Sequence, residues 1–512
     1  DGVCKYHPED GAECALRMSI DSPQRGEILW GSPVINLVGS VISPAGPVEE
    51  FTVNGDPVVV NDLGNFSKDL AASTGINIIE LRATDDFSRE TGKIVSFAWA
   101  SSLHEAQSGT TIAHSSEAWL GQDVFDDDNA QDLDDLASLA ETMLVNIDMN
   151  EFIPKPIEVE YWWCTYPVYV EDMDYTMGEV DIDPVTGGMQ LSAYLTDVSS
   201  HITAIADFCP DMIGWVYADL MKIDIEIFAQ TGDDGTISLS SGAVEVITEG
   251  ILVDIEDGFA SWIEDLANWF SEDIGAYITS SVEEWVPDSL IPAVNSILAE
   301  FTDYQVEVDL PTIPGNGPGM PVIFTVAPGE IEGKDSGARM SFDVGASSPK
   351  LIAHDYPGSL ARDGCHGDDP GNYVLSQSND VEVAVSEDLI NQLFASIWSG
   401  GHMNVLLDSE LLGSYVEPFG VETILLQLDP WLPPVLTTCT EDGTAQIQIG
   451  DLGVWTSIST SAGNSEIDLF GNIKVDILPI VTTEDGMKHL GLQVLNVDYI
   501  GLEVVSIDGL LE

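Results

Sequence analysis

The chain has 512 residues, 44% of them hydrophobic, and 88 acidic against 15 basic side chains give it a net charge of −73. So much apolar residue builds cores, which excludes a disordered acidic chain, and the length asks for about two to four domains. With so few cations to neutralise phosphates, nucleic acid is excluded as a partner and anionic membrane surfaces repel the chain.

Residues 1–30 read as a short loop holding Cys4 and Cys14, followed by a Pro/Gly-rich linker. The chain opens at Asp1-Gly2-Val3-Cys4, as a processed N-terminus would. From 31 to 100, short alternating runs such as "FTVNGDPVVV", "GINIIELRATDD" and "KIVSFAWA" are punctuated by Asn54-Gly55, Gly64-Asn65 and Gly75. Even spacing of short strands predicts a small antiparallel sandwich. The stretch from Phe51 to Asn77 resembles bacterial immunoglobulin-like domains, which implies a spacer or an adhesive module.

Residues 101–135 form a polar connector ending in "GQDVFDDDNAQDLDDLAS". Oxygen ligands at that density suit calcium, with Asp123, Asp126, Asp128 and Asp132 as candidate ligands. The central glycine and closing glutamate of an EF-hand loop are missing, and acidic residues opening a helix are the plainer reading. That helix carries Leu136, Met143 and Ile147 on its apolar stripe. After Pro154 and Pro156 the period changes to two through "IEVEYWWC", "GMQLSAYLTDVSSHI" and "GAVEVITEGILVDI", predicting long strands with one apolar face.

A helical pattern then spans 259–301, with Trp262, Leu266, Trp269, Phe270, Ile274 and Ile278 on one stripe and Val294 and Leu298 resuming it. Pro287 and Pro292 must kink or interrupt it, since each removes a backbone donor and crowds the preceding turn. At 1.5 Å per residue such a helix would reach about 60 Å, longer than a compact core needs. Past "DLPTIPGNGPGMP" the strands restart, and Ser386 caps a helix whose apolar face includes Leu389, Leu393, Phe394 and Ile397. Alternating strands run from "AQIQIGDLGVWTSI" to "GLQVLNVDYIGLEVVSI". No apolar run approaches the length of a membrane span, so this chain is expected to carry no transmembrane anchor.

This order of elements resembles the tubular lipid-binding (TULIP) superfamily, the two-module proteins related to bactericidal/permeability-increasing, lipopolysaccharide-binding and cholesteryl ester transfer proteins. "VAVSEDLINQLFASIW", "LDPWLPPVLTT" and "FASWIEDLANWFSEDIGAYI" carry the likeness. The resemblance implies an α+β chain: an immunoglobulin-like domain (31–100), then two modules (101–310 and 311–512), each a twisted antiparallel sheet wrapped on long helices. Acyl chains would lie between helix and sheet, and the apolar residues just named are the candidate lining. Two departures stand out. The cationic surface of some relatives is missing, and the chain ends at "SIDGLLE", where a second long helix is expected.

The six cysteines allow 15 pairings; domain limits favour Cys4 with Cys14, Cys164 with Cys209, and Cys365 with Cys439. Cys164 with Cys209 resembles the disulfide of many family members. Disulfides imply an oxidising compartment, hence a secreted, periplasmic or bacterial cell-surface protein. No nucleophile elbow, zinc-protease, phosphate-loop or dinucleotide signature occurs, and the eight histidines are scattered. The expectation is therefore a non-enzymatic lipid-binding or lipid-transfer protein. It would need no cofactor, with lipid or fatty acid as partner and calcium as a candidate ion. A structural or adhesive subunit of an extracellular assembly, binding other protein subunits, is the alternative.

Overall fold

The computed structural model describes residues 16–509, apart from 45, 106–108, 130–134, 145–155, 162–163, 206–210, 233–235, 256–279, 281–282, 299–303, 311–318, 350–356, 363–372, 374, 417–420, 439–443, 462 and 485–486. Among the described residues strand accounts for 68% and helix for 10%, in five short helices, which overturns the expected α+β class with long helices. The physical reason is the period-two pattern, which holds through nearly all of 157–255 and 421–509 and keeps the chain extended. Among the described residues the longest α-helix has 13 residues. Most of the helical pattern over 259–301 lies outside them.

The N-terminal sandwich packs two sheets. Its strands are β1 (Arg17–Ser22), β2 (Glu27–Trp30), β3 (Val34–Ile42), β4 (Val48–Val53), β5 (Asp56–Pro57), β6 (Asn65–Ala71), β7 (Gly75–Asp85) and β8 (Glu90–Ala100). They are ordered β1-β3-β6 and β2-β8-β7-β4-β5 around Leu37, Phe51, Phe66, Leu81 and Phe97. Asp85 closes the β7–β8 turn; hydrogen bonds from Arg89, with those from Ser43 and Phe87, hold its carboxyl well below the usual carboxylate range.

Next come β9 (Ser102–His104), β10 (Ile112–Gly121), α1 (Gln122–Phe125) and α2 (Leu136–Leu144). A six-stranded antiparallel sheet follows, in which β11 (Ile157–Tyr161), β12 (Cys164–Val185), β13 (Gly188–Ala204), β14 (Met212–Thr231) and β15 (Ile237–Glu249) form a meander and β16 (Leu252–Ile255) returns to pair with β14. Its inner face holds Met173, Leu195, Met221, Ile223 and Ile225, closed by Val286 and Ile291. Val286–Leu290 is a π turn running into α3 (Ile291–Leu298), and the Ile291 N–H reaches back to the Val286 carbonyl. The irregularity expected from Pro287 and Pro292 is there, absorbed as a π turn.

A central five-stranded sheet has the order β17-β18-β19-β10-β21, from β17 (Tyr304–Asp309), β18 (Pro321–Lys334), β19 (Gly337–Ser347) and β21 (Val381–Val385), while β20 (Ser359–Ala361) pairs with β9. The polar connector thus supplies β10, the strand that stitches two distant parts of the chain together. Glu382 of β21 is wrapped by the loop before it. Its carboxylate accepts from the backbone N–H of Ser376 (2.6 Å), Gln377 (3.1 Å), Ser378 (3.0 Å) and Asn379 (3.2 Å). These bonds, with the Ser376 hydroxyl the strongest influence, pull its carboxyl from 4.5 to about 2. A depressed carboxyl stabilises above its unfolded value, so this contribution is present above pH 4.5 and is lost as pH falls towards 2. Protection of the amides at 376–379, relative to their intrinsic exchange rate at each pH, is expected to fall across that window, and to be low at every pH in Glu382→Gln. Protection that ignores both would remove the carboxylate from the account.

The C-terminal part holds α4 (Glu387–Ser399), β22 (Val405–Asp408), α5 (Ser409–Val416), β23 (Val421–Pro430), β24 (Val435–Thr437), β25 (Ala445–Thr460), β26 (Gly463–Glu484) and β27 (Met487–Gly509). Its sheet runs β22-β23-β25-β26-β27, with β24 on β25. The N-terminal sandwich docks on one face of it. β2 pairs with β8 only at 97–100, which leaves the N–H groups of Ile94 and Ser96 without a strand on that side. Side chains from the other sheet take them instead: Glu503 accepts from Ile94 (3.1 Å) and Asp451 from Ser96 (2.7 Å). Gln448 likewise accepts from the Ile76 N–H at 2.7 Å. Arg25 pairs with both Asp451 and Glu503 and lies 3.8 Å over the Phe470 ring. Gly75 is required here, because at φ 103° an added Cβ would meet Gln448 Oε1 at 2.6 Å.

Candidate functional site

The docked face of the C-terminal sheet is its polar one. Gln446, Gln448, Asp451 and Asn472 are all buried. Period two then turns the aliphatic side chains to the other face. The row Val405–Leu428–Val454–Leu469–Val504 crosses five strands with no polar residue. Ile447–Val475–Val497 and Ile449–Ile473–Ile500 continue it across three. Five strands spaced 4.8 Å apart make this surface about 19 Å wide. On β27 it is open: Leu492 is 55% exposed, Val494 60%, Ile500 62% and Leu502 59%. A continuous apolar face of that kind marks an interaction site, whereas scattered exposed aliphatics need no explanation.

α4 shows the same inversion. Ser386 caps it as the sequence predicts, accepting from the Leu389 N–H at 3.1 Å. Its buried residues, however, are largely polar: Glu387, Asp388, Asn391, Gln392, Ser396 and Ser399, with Leu389, Ala395 and Trp398. These side chains complete strand edges. Asn391 bonds both backbone groups of Leu436, at 2.7 and 3.0 Å. Gln392 accepts from the Ala346 N–H at 2.7 Å and Ser396 donates to its carbonyl at 2.8 Å, beyond the last β10 pair at Val344. Trp398 Nε1 donates to the Pro430 carbonyl at 2.7 Å. Glu387 pairs with Arg362, and Asp388 bonds His104 at 2.8 Å.

Of the predicted lining residues, Leu389 is buried in a core with Met320, Val322 and Val344, and Leu393 and Ile397 pack half-buried against it. Phe394 is half-buried, and Leu136 is 38% exposed. Met143, Val294 and Leu298 fall in α2 and α3, with their side chains outside the described residues, as are Ile147, Trp262, Leu266, Trp269, Phe270, Ile274 and Ile278 altogether. No residue of β26 or β27 was among the predicted lining. The alternation in "NVDYIGLEVVSI" was the signal that could have placed them there.

The acidic loop is tied up with its own backbone. Asp126 accepts from the Asp128 N–H and Asp127 from the Asn129 N–H, both at 2.9 Å, while Asp135 accepts from Ser138 at 2.7 Å to start α2. Asp126 also faces Glu179 and Asp181, whose carboxyls are pushed up, Glu179 by the Asp181 charge and Asp181 by burial. Asp123 sits in the first turn of α1 and Asp132 lies outside the described residues. Among the described residues no three His, Cys, Asp or Glu side chains are grouped to hold a metal ion. Cys4, Cys14, Cys209, Cys365 and Cys439 lie outside them, and the backbone of Cys164 opens β12 opposite Tyr161. Among them, too, no helix is long and apolar enough to cross a membrane.

No protein-family model and no curated protein matches the chain. Among solved structures it is similar to a lipopolysaccharide binding protein at 10% identity, over 77% of this chain and 85% of that one, with a TM-score of 0.40. It is similar to P47 of Clostridium botulinum at 8% identity, over 78% and 83%, with a TM-score of 0.20. At scores this low, function has to be read from the chain's own residues.

Proposed function

We propose that the chain is a non-enzymatic lipid-binding or lipid-transfer protein of a secreted or cell-surface compartment, which lays acyl chains along the open face of the C-terminal sheet. The observation that carries this reading is the inverted sheet: its polar face is buried under the N-terminal sandwich while its aliphatic rows stay open on β27. Each CH₂ taken out of water there contributes about 0.8 kcal/mol, enough to hold a lipid without any charged contact. The net charge of −73 favours a headgroup that is neutral, or one bridged by calcium.

Native mass spectrometry of the purified protein, followed by organic extraction, tests the reading. Near-stoichiometric lipid is expected on the wild type and several-fold less on Val494→Lys/Ile500→Lys. Both positions are exposed, so the double variant should fold normally. A lipid-free protein that also refuses a fluorescent fatty acid would sink the reading.

A further inference from the structure

Besides its face, β27 has an edge. Among the described residues it pairs only with β26, so one side of a 23-residue strand offers backbone donors and acceptors without a partner strand. Free edges are ordinarily blunted by lysine, proline or bulges. Beyond Lys488, β27 contains no lysine, arginine or proline. It does carry bulges, with Leu495, Asp498 and Val505 inserted between successive pairs. Between the last two lies a regular stretch, Tyr499–Val504, paired residue for residue with Lys474 back to Leu469.

The end of that stretch, Leu502, Glu503 and Val504, walls a cleft of about 480 Å³ between β27 and the outer face of the sandwich strands β4, β7 and β8. The charges lining the cleft are Glu50, Glu80, Glu90 and Glu503 against Arg82 and Lys93. Both cations are already engaged, Arg82 with Glu80 at 3.9 Å and Lys93 with Glu503 at 3.8 Å. Tyr499 donates to Glu80 at 2.6 Å, and Glu50 and Glu90 remain exposed on the rim. A strand laid beside Tyr499–Val504 would turn alternate side chains into this acidic cleft and the others onto the aliphatic face of Ile500, Leu502 and Val504.

We infer that the edge of β27 takes up an extended segment of another protein in which aliphatic residues alternate with lysine or arginine, by strand addition. Main-chain hydrogen bonds would supply affinity, and the cleft would select the basic register. A second copy of β27 is disfavoured, because Asp498, Glu503 and Asp508 would bring like charges to the same edge. This inference is independent of the lipid reading, which uses the face and not the edge.

The test is fluorescence anisotropy on the full chain with a labelled nine-residue peptide alternating valine and lysine. Saturable binding is expected. It should weaken about tenfold when the same residues are rearranged into blocks, when alternate amides along one edge are N-methylated, and in Glu50→Lys/Glu90→Lys. Equal binding of the blocked or N-methylated peptides would reduce the effect to charge and overturn strand addition. So would the absence of saturable binding. Sedimentation of a dimer that takes up no peptide would assign the edge to a second copy, and equally overturn the proposal.

Discussion

Replacing Arg25 with alanine is expected to undock the N-terminal sandwich, at a cost of about 3–5 kcal/mol, the usual penalty for removing one partner of a buried ion pair. Asp451 is fully buried and would be left in the interior without its cation. The sandwich has its own core around Phe51, Leu81 and Phe97, so it should survive undocking. Calorimetry should then resolve two transitions, and the Ile94 and Ser96 amides should lose protection first. Burial already pushes the Asp451 carboxyl up, with Arg25 pulling it back. A raised carboxyl favours the folded state at low pH and disfavours it as pH rises through its folded value. Acidification should therefore partly rescue Arg25→Ala. A single transition at unchanged Tm, insensitive to pH, would show that the network does not hold the two parts together.

Arg362→Ala should cost a similar amount, about 3–5 kcal/mol, for the same reason. The side chains of Arg362 and Glu387 are each only 4% exposed. Glu387 also accepts from the Thr438 N–H at 2.8 Å, and Arg362 donates its own N–H to Asp388 at 3.1 Å, so the pair pins α4 to two loops. Removing the guanidinium strands a carboxylate in the interior, whereas Arg362→Met with Glu387→Leu removes both charges and should recover most of the loss. Urea unfolding of the two variants decides it. A single variant costing under about 1 kcal/mol would mean that water reaches Glu387.

Alternation made the strands legible: "GMQLSAYLTDVSSHI" and "GLQVLNVDYIGLEVVSI" fall in β13 and β27. The Ser386 cap and the irregularity at Pro287 were local, and both could be read from neighbouring residues. What could not be read is which face of an element is covered. Period two says that β25 has a face of Gln446 and Gln448 and another of Ile447 and Ile449; it does not say that a sandwich some 350 residues earlier in the chain buries the polar one. On α4, likewise, the apolar stripe of Leu389, Leu393, Phe394 and Ile397 looked like the whole core side, yet only Leu389 of the four is fully buried and a second, polar side is buried as well. Asn391, Gln392 and Ser396 are buried on that second side, because strand edges at Leu436 and Ala346 needed donors and acceptors that aliphatics lack. The long helix read from the apolar stripe over 259–301 lies mostly outside the described residues, and among those residues the period-two pattern keeps most of the chain in strand.

The bond from Arg25 to Asp451 spans 426 residues, which has a consequence for how the protein is made. At about 5–20 residues per second, the ribosome finishes the sandwich at Ala100 roughly 20–80 s before its partner sheet is complete at Gly509. Throughout that interval Ile94 and Ser96 present bare donors beside an unneutralised guanidinium. The nascent chain therefore carries an adhesive flank that only its own last strands can cover, and any factor that shields this flank during synthesis should raise the yield of native protein.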